Sequence, residues 1–256
     1  MNIKTISDRG LFALSVPKCV GCLEPLEYGE KAFCPKCSAE FEEIKTRNCS
    51  RCAKKLNACS CSNEYLEGHF IKRVVKCFRY LVKDEINPAN ALIFSIKKDN
   101  RADVLEVCTQ ELVAAISNSV HNPEEYIITN IPRRKAEIID KGLDQAELLA
   151  KAIATRLGAE YMPILKSLSK KSQKTLERAE RLKNANFIIK AEVDLTGKSV
   201  IIVDDVITTG ASMGTAAALI RSLGAKNITA AALGIAYKDK YETVYFDGDG
   251  SIYEGY

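Results

Sequence analysis

The chain has 256 residues, 46% hydrophobic and 27% charged, with a formal net charge of +4. That composition excludes a wholly disordered chain, and the length suffices for one sizeable core or a medium domain beside a small one. No apolar run is long enough to cross a bilayer, so no membrane span is expected. The first residues, MNIKTISDRGLFALS, scatter charge through a short apolar stretch and offer no small-residue cleavage site, so a cytoplasmic location is expected.

Residues 1–18 read as a short leader. Eight of the 10 cysteines follow between Cys19 and Cys61, in KCVGC, CPKC, NCSRC and CSC. In a reducing compartment such clustering points to metal rather than disulfides. Eight thiolates and two zinc ions would cancel the formal charge, so overall basicity is no argument for nucleic acid. Cys19, Cys22, Cys34 and Cys37 form two knuckles of two-residue spacing, which lets both sulfurs of a pair reach one tetrahedral ion. Gly21 is expected to relieve the first turn. A structural zinc site is the leading reading, with unliganded cysteines or an iron–sulfur cluster as alternatives. Cys49 and Cys52 make a third knuckle. Cys59 and Cys61 are one residue apart, so the second set is less regular. It reads as a second four-thiolate site, against one site of mixed pairing or His69 replacing a cysteine. Four sulfurs leave no position for water, so the role is structural. No amphipathic period runs through 19–61, and metal is expected to hold the segment together.

From Ile71 the texture changes to alternating helical and strand-like stretches. Residues 71–83 are expected to be a short helix. Residues 101–118 carry Val104, Leu105, Val107, Leu112, Val113 and Ile116 at helical spacing. YIITNIPRR is a strand closed by Pro132. Residues 145–157 read as an amphipathic helix capped by Gly158. MPILKSL is short and strand-like, and 170–184 are polar, basic and expected to be mobile. KSVIIVDDV is a buried strand, TTGAS a turn, SMGTAAALIRSLG a helix and NITAAALGI a strand, a βαβ unit with parallel strands. Isolated Cys77 and Cys108 read as core fillers. The expected division is 1–66 as a cysteine-rich double zinc-ribbon module, 67–236 as an α/β domain and 237–256 as a tail.

The sharpest feature is VIIVDDVITTGAS. Four apolar residues lead into Asp204 and Asp205, and ligands of open parallel sheets bind at the carboxyl ends of strands. Two carboxylates there need hydroxyl, metal or cationic partners. Thr208, Thr209, Gly210, Ala211 and Ser212 lead into a helix, and their N–H groups and hydroxyls can surround a phosphate. A sugar site followed closely by a phosphate site fits a phosphorylated ribose. Neither GxxxxGK[ST] nor GxGxxG is present.

These residues resemble the phosphoribosyl-pyrophosphate (PRPP) signature of type I phosphoribosyltransferases. The cysteine cluster, KGLDQAELLA from Lys141 and QKTLERAERLKNANF from Gln173 make the whole chain similar to the ComF/GntX group of that superfamily. The resemblance implies a parallel sheet flanked by helices with an N-terminal zinc-ribbon module. It implies that Asp204 and Asp205 hold the ribose hydroxyls and that Thr208 to Ser212 cradle the 5′-phosphate. Arg133 and Arg134 fall where a pyrophosphate loop is expected, and Lys97, in SIKKDN, is implied to approach the pyrophosphate. The usual arginine-glycine-phenylalanine-asparagine-glutamine segment stands here as KGLDQ. Lys141 keeps its positive charge without the bidentate fork, and Asp144 adds charge where an amide is usual.

Two functions follow. In one, the protein is an enzyme that transfers ribose 5-phosphate from PRPP to a nitrogen acceptor, with Mg²⁺ and basic side chains steadying the departing pyrophosphate. Catalysis then rests on Asp204, Asp205, Lys97 and Arg133, and residues 166–183, with seven basic and two acidic side chains, form a closing lid. In the other, the resemblance to competence-associated proteins implies single-stranded DNA or DNA-uptake proteins as partners, with the PRPP site non-catalytic or repurposed. Stacking aromatics are scarce near the basic runs 133–141 and 166–183, which counts against the second reading.

Overall fold

The computed structural model describes residues 16–80, 87–98, 101–133, 138, 144–168, 187–190, 193–236, 245–246 and 252–253. At its centre is a five-stranded sheet built from β1 (Ile71–Arg79), β2 (Ile127–Asn130), β3 (Glu160–Tyr161), β6 (Ser199–Ile207) and β7 (Asn227–Ile235). The order is β1-β7-β6-β2-β3, and every pairing is parallel. β4 (Leu165–Ser167) pairs antiparallel with β5 (Phe187–Ile189), and β8 (Tyr245–Phe246) with β9 (Ile252–Tyr253).

Strands of a parallel sheet are covered on both faces and read as continuous apolar runs. VIIV of β6 and ITAAALGI of β7 are such runs, and nearly every residue in them is buried. Helices α1 (Pro35–Lys45), α3 (Pro88–Lys98), α4 (Ala102–Ser119) and α5 (Gln145–Leu157) cover one face. Helix α6 (Ala211–Ser222) covers the other. The chain runs β2–α5–β3 in one direction across the sheet and β6–α6–β7 in the opposite one. Right-handed crossovers in opposite directions place their helices on opposite faces. β2 and β6 are neighbours, so their loops part company and open a crevice at the carboxyl edge.

Most expected elements are present. Helix α5 spans Gln145–Leu157, with Gly158 in the left-handed region at φ 68°. The βαβ unit stands as read, and Cys77 and Cys108 are fully buried. Two expectations need correction. Residues 71–79 are a strand, not a helix. β1 is buried from Val74 to Phe78 and pairs with β7, so no alternation showed in its sequence. The cysteine-rich segment does contain an amphipathic helix, α1, which buries Cys37, Phe41 and Ile44. Counting Cys37 only as a ligand hid that stripe. The stretch 88–98, read only for its lysines, is helix α3, with Asn87 accepting from the Asn90 N–H at 2.9 Å.

Helix α1 borrows its core. Phe33, Phe41 and Phe78 of β1 pack in a row, the first pair tilted and the second edge to face, with centroids 5.1 and 5.6 Å apart. The buried Lys45 ammonium lies between Glu42 at 2.6 Å and Glu111 of α4 at 2.7 Å. The first cysteine cluster therefore packs into the same apolar cluster as the sheet.

Candidate functional site

β6 outruns β2 at the carboxyl edge. Asn130 pairs with Val203, and the strand continues through Asp204 and Asp205. Successive side chains of a strand point to opposite faces, so the two carboxylates have different surroundings. Asp205 is 7% exposed. Its two oxygens meet Arg133 Nη2 at 2.8 Å and Lys97 Nζ at 3.4 Å. Lys97 comes from the last turn of α3, and Arg133 from the loop after β2. Asp204 accepts from the Asp205 N–H at 2.8 Å and lines a cavity of about 50 Å³ with the loop from Val206 to Met213. No cation of the described residues lies within ion-pair distance of Asp204. Burial, then the charge of Asp205, holds the Asp204 carboxyl well above the usual range.

The cavity wall is the expected phosphate loop. Thr208 and Thr209 are exposed, and Gly210 takes φ 86° as the residue preceding α6. At roughly 10–15 Å³ per water, the cavity has room for a phosphate-sized group. Sequence reading missed what stands behind the loop. Helix α2 (Glu64–Gly68), capped by the Asn63 side chain on the Leu66 N–H at 2.8 Å, presses Leu66 against Gly210. A Cβ on Gly210 would lie 2.8 Å from Leu66 Cδ2, and one on Gly214 would lie 3.0 Å from the His69 ring. His69 thus packs against α6 and is not part of either cysteine cluster. Asp144 also has a position no spacing revealed. It caps α5 through the Glu147 N–H at 3.2 Å and accepts from the Arg133 N–H at 3.0 Å, tying the loop after β2 to that helix. Lys97, Arg133, Asp204, Asp205 and Thr208 to Ser212 are therefore brought together. Arg134, Lys141 and nearly all of 166–183 lie outside the described residues.

The phosphoribosyl transferase domain family matches residues 143–247. Competence protein ComFC of Streptococcus pneumoniae is 26% identical over 79% of this chain and 87% of its own. The DNA utilization protein YhgH of Escherichia coli is 24% identical over 84% of this chain and 96% of its own. Phosphoribosylpyrophosphate synthetase of Mycobacterium smegmatis is a solved structure with TM-score 0.35 and 21% identity, covering 52% of this chain and 35% of that one. The chain is similar to competence-associated proteins and carries a phosphoribosyltransferase-like domain.

The protein gathers eight cysteines as expected, in Cys19, Cys22, Cys34, Cys37 and in Cys49, Cys52, Cys59, Cys61, with the sulfurs of each set within 4.8 Å of one another. Zinc ~2.3 Å from each of four tetrahedral sulfurs needs them ~3.8 Å apart. Cys22 and Cys34 are separated by 3.7 Å, and Cys52 and Cys59 by 3.5 Å. The donor sets fit structural zinc, Cys59–Cys61 included. The two knuckles share one backbone design. Cys19 N–H bonds Glu24 O and Leu23 N–H bonds Cys19 O, and Cys49 with Lys54 and Ala53 repeats both bonds. Leu23 and Ala53 both take positive φ. Gly21 serves by its size rather than by its backbone angle, since a Cβ there would lie 2.8 Å from Cys37 Sγ. Burial pushes the Cys19 thiol up, but N–H groups of Cys34, Cys22 and Gly21 outweigh it and bring it to about 7. Burial and the neighbouring sulfurs push Cys37 up. Each further thiolate is thus resisted by the others, and a dication offsets that repulsion.

Proposed function

We propose that this protein binds a phosphorylated ribose, PRPP in the first instance, at the carboxyl edge of its sheet and works in the handling of DNA. The observation that carries the reading is Asp205 held between Lys97 and Arg133, beside Asp204 and a phosphate-sized cavity. In the proposed complex Asp204 meets ribose hydroxyls, and the loop N–H groups with Thr208, Thr209 and Ser212 take the 5′-phosphate. Lys97 and Arg133 exchange some of their contact with Asp205 for the pyrophosphate. Asp204, a hard oxygen donor facing the cavity, suits Mg²⁺ arriving with that pyrophosphate, where the ion would supply charge neutralisation.

The DNA half of the proposal rests on the similarity to a competence protein and a DNA utilization protein and on exposed aromatics that the sequence did not reveal. Tyr65, 45% exposed, stands beside Gly210 of the phosphate loop, and Phe70, 54% exposed, lies towards the far end of α6, with the Arg221 guanidinium 5.5 Å from its ring centre. Aromatic faces next to cations suit unpaired bases. Residues 1–66 enter the proposal as the cysteine module that holds α2 against the loop, 67–236 as the ligand-binding domain and 237–256 as a tail. A cytoplasmic, reducing setting keeps the thiolates available to zinc. Transfer of the ribose group to a nitrogen acceptor is the further step proposed, in which Lys97 and Arg133, now paired with Asp205, would turn to the departing pyrophosphate.

Calorimetric titration of the zinc-loaded protein with PRPP and Mg²⁺ tests the first half. Binding is expected, and its absence in folded protein removes the ribose assignment. Oligonucleotide binding measured between about 50 and 200 mM salt tests the second, with affinity falling steeply if phosphates are contacted. Salt-insensitive or absent binding removes it. Release of pyrophosphate on adding nitrogen bases distinguishes transfer from binding alone.

A further inference from the structure

Lys76 stands in the middle of β1 with 2% of its surface exposed, among the largest fully buried side chains of the described residues. Val74 and Lys76 lie on the face of β1 opposite Val75 and Cys77. No carboxylate of the described residues reaches the Lys76 ammonium within ion-pair distance. The contrast is Lys45, equally buried but flanked by Glu42 and Glu111. Lys76 Nζ donates instead to two main-chain carbonyls, Cys61 O at 2.9 Å and Val74 O at 3.2 Å. Two neutral acceptors satisfy hydrogens but not a buried positive charge.

The first of those carbonyls belongs to a member of the second cysteine cluster. Val74 N–H donates to Ser60 O, so the strand lies against the Cys59–Cys61 segment. Cys59 and Cys49 are buried, so water gives this cluster little screening. Four thiolates around Zn²⁺ leave two negative charges in that setting. We infer that Lys76 is the counter-ion of the Cys49–Cys52–Cys59–Cys61 site, its charge delivered from the sheet to offset the surplus of the zinc–thiolate centre and to strengthen metal retention there. The inference rests on the reading that this cluster holds zinc. Each is costly to bury alone, and together the lysine offsets one of the two surplus negative charges. The same contact couples the metal site to the edge strand of the sheet.

The test uses the full-length, zinc-loaded protein with Lys76→Gln and Lys76→Met. Gln keeps two N–H donors for the carbonyls without the charge, and Met fills the space without either. Zinc per chain is measured by native mass spectrometry and its release by chelator competition, while cysteine alkylation identifies which cluster opens. Wild type is expected to hold two ions. Both variants are expected to release the second-site zinc more readily by about 10–100-fold, the usual range for a supporting residue, with the first site unchanged. Stripped of zinc, Lys76→Met is expected to melt no lower than stripped wild type, because an unpaired buried charge has been removed. Wild-type zinc retention in Lys76→Gln would overturn the inference, since hydrogen bonding would then suffice. Equal loss from both clusters, or equal destabilisation with and without zinc, would overturn it too, leaving a packing role. A wild type without second-site zinc overturns the zinc reading and this inference together, and that result is visible before any variant is made. Should Lys76→Met fail to fold, Lys76→Gln decides.

Discussion

Gly210→Ala is the sharpest probe of how the phosphate loop is built. The residue takes φ 86°, and a Cβ there would sit 2.8 Å from Leu66 Cδ2 and 3.1 Å from Leu66 Cγ. Two costs arise. A left-handed residue with a Cβ costs about 1–2 kcal/mol. The steric conflict falls on a fully buried leucine, and overpacking costs about 1–3 kcal/mol. The sum for Gly210→Ala is roughly 2–5 kcal/mol. Leu66→Ala alone costs about 2–5 kcal/mol through the cavity it leaves. In the Leu66→Ala background the conflict is gone and only the backbone term remains, so Gly210→Ala should then cost about 1–2 kcal/mol. Urea denaturation of the four proteins measures the cycle, and PRPP titration runs beside it. Strictly additive effects would refute the contact between α2 and the phosphate loop. Wild-type PRPP affinity in Gly210→Ala would refute the loop's place in binding.

Asp204 holds its proton more tightly folded than unfolded, so stability falls as pH rises above the ordinary carboxylate range. Asp204→Asn should therefore melt higher than ligand-free wild type near neutral pH, with the gap closing towards about pH 4, and should lose PRPP binding. A lower neutral-pH melting point would count against its burial as a strained carboxylate. Asp205→Asn leaves Arg133 and Lys97 unpaired. With Lys97 about a third exposed, the loss should sit at the low end of the roughly 3–5 kcal/mol typical of broken buried pairs, checked by denaturation. Asp144→Ala removes a helix cap worth about 0.5–2 kcal/mol and frees the Arg133 N–H, so faster hydrogen exchange is expected there, and unchanged exchange would refute the link. Cys19→Ser and Cys49→Ser should each remove one of two zinc ions. Loss of both ions from either variant would show that the clusters are not independent.

Local rules carried much of this protein. The βαβ unit was legible because its apolar run, small-residue turn and helix are contiguous, and so were the cysteine pairs, whose spacing alone fits one ion. Asp204, Asp205 and the loop after them stood out because the site is written in one stretch. Tertiary structure decided what contiguity cannot. Lys97 and Arg133 come from separate elements to one carboxylate. Leu66 reaches Gly210 from the far side of the sheet sequence. β1 was read as a helix because burial on both faces hides the alternation of a strand, and only its pairing with β7 discloses it. The physical reason is common to all three cases. Sequence spacing encodes contacts between neighbours along the chain, whereas charge pairing, close packing and strand partners are set by which distant segments the sheet brings within a few ångströms.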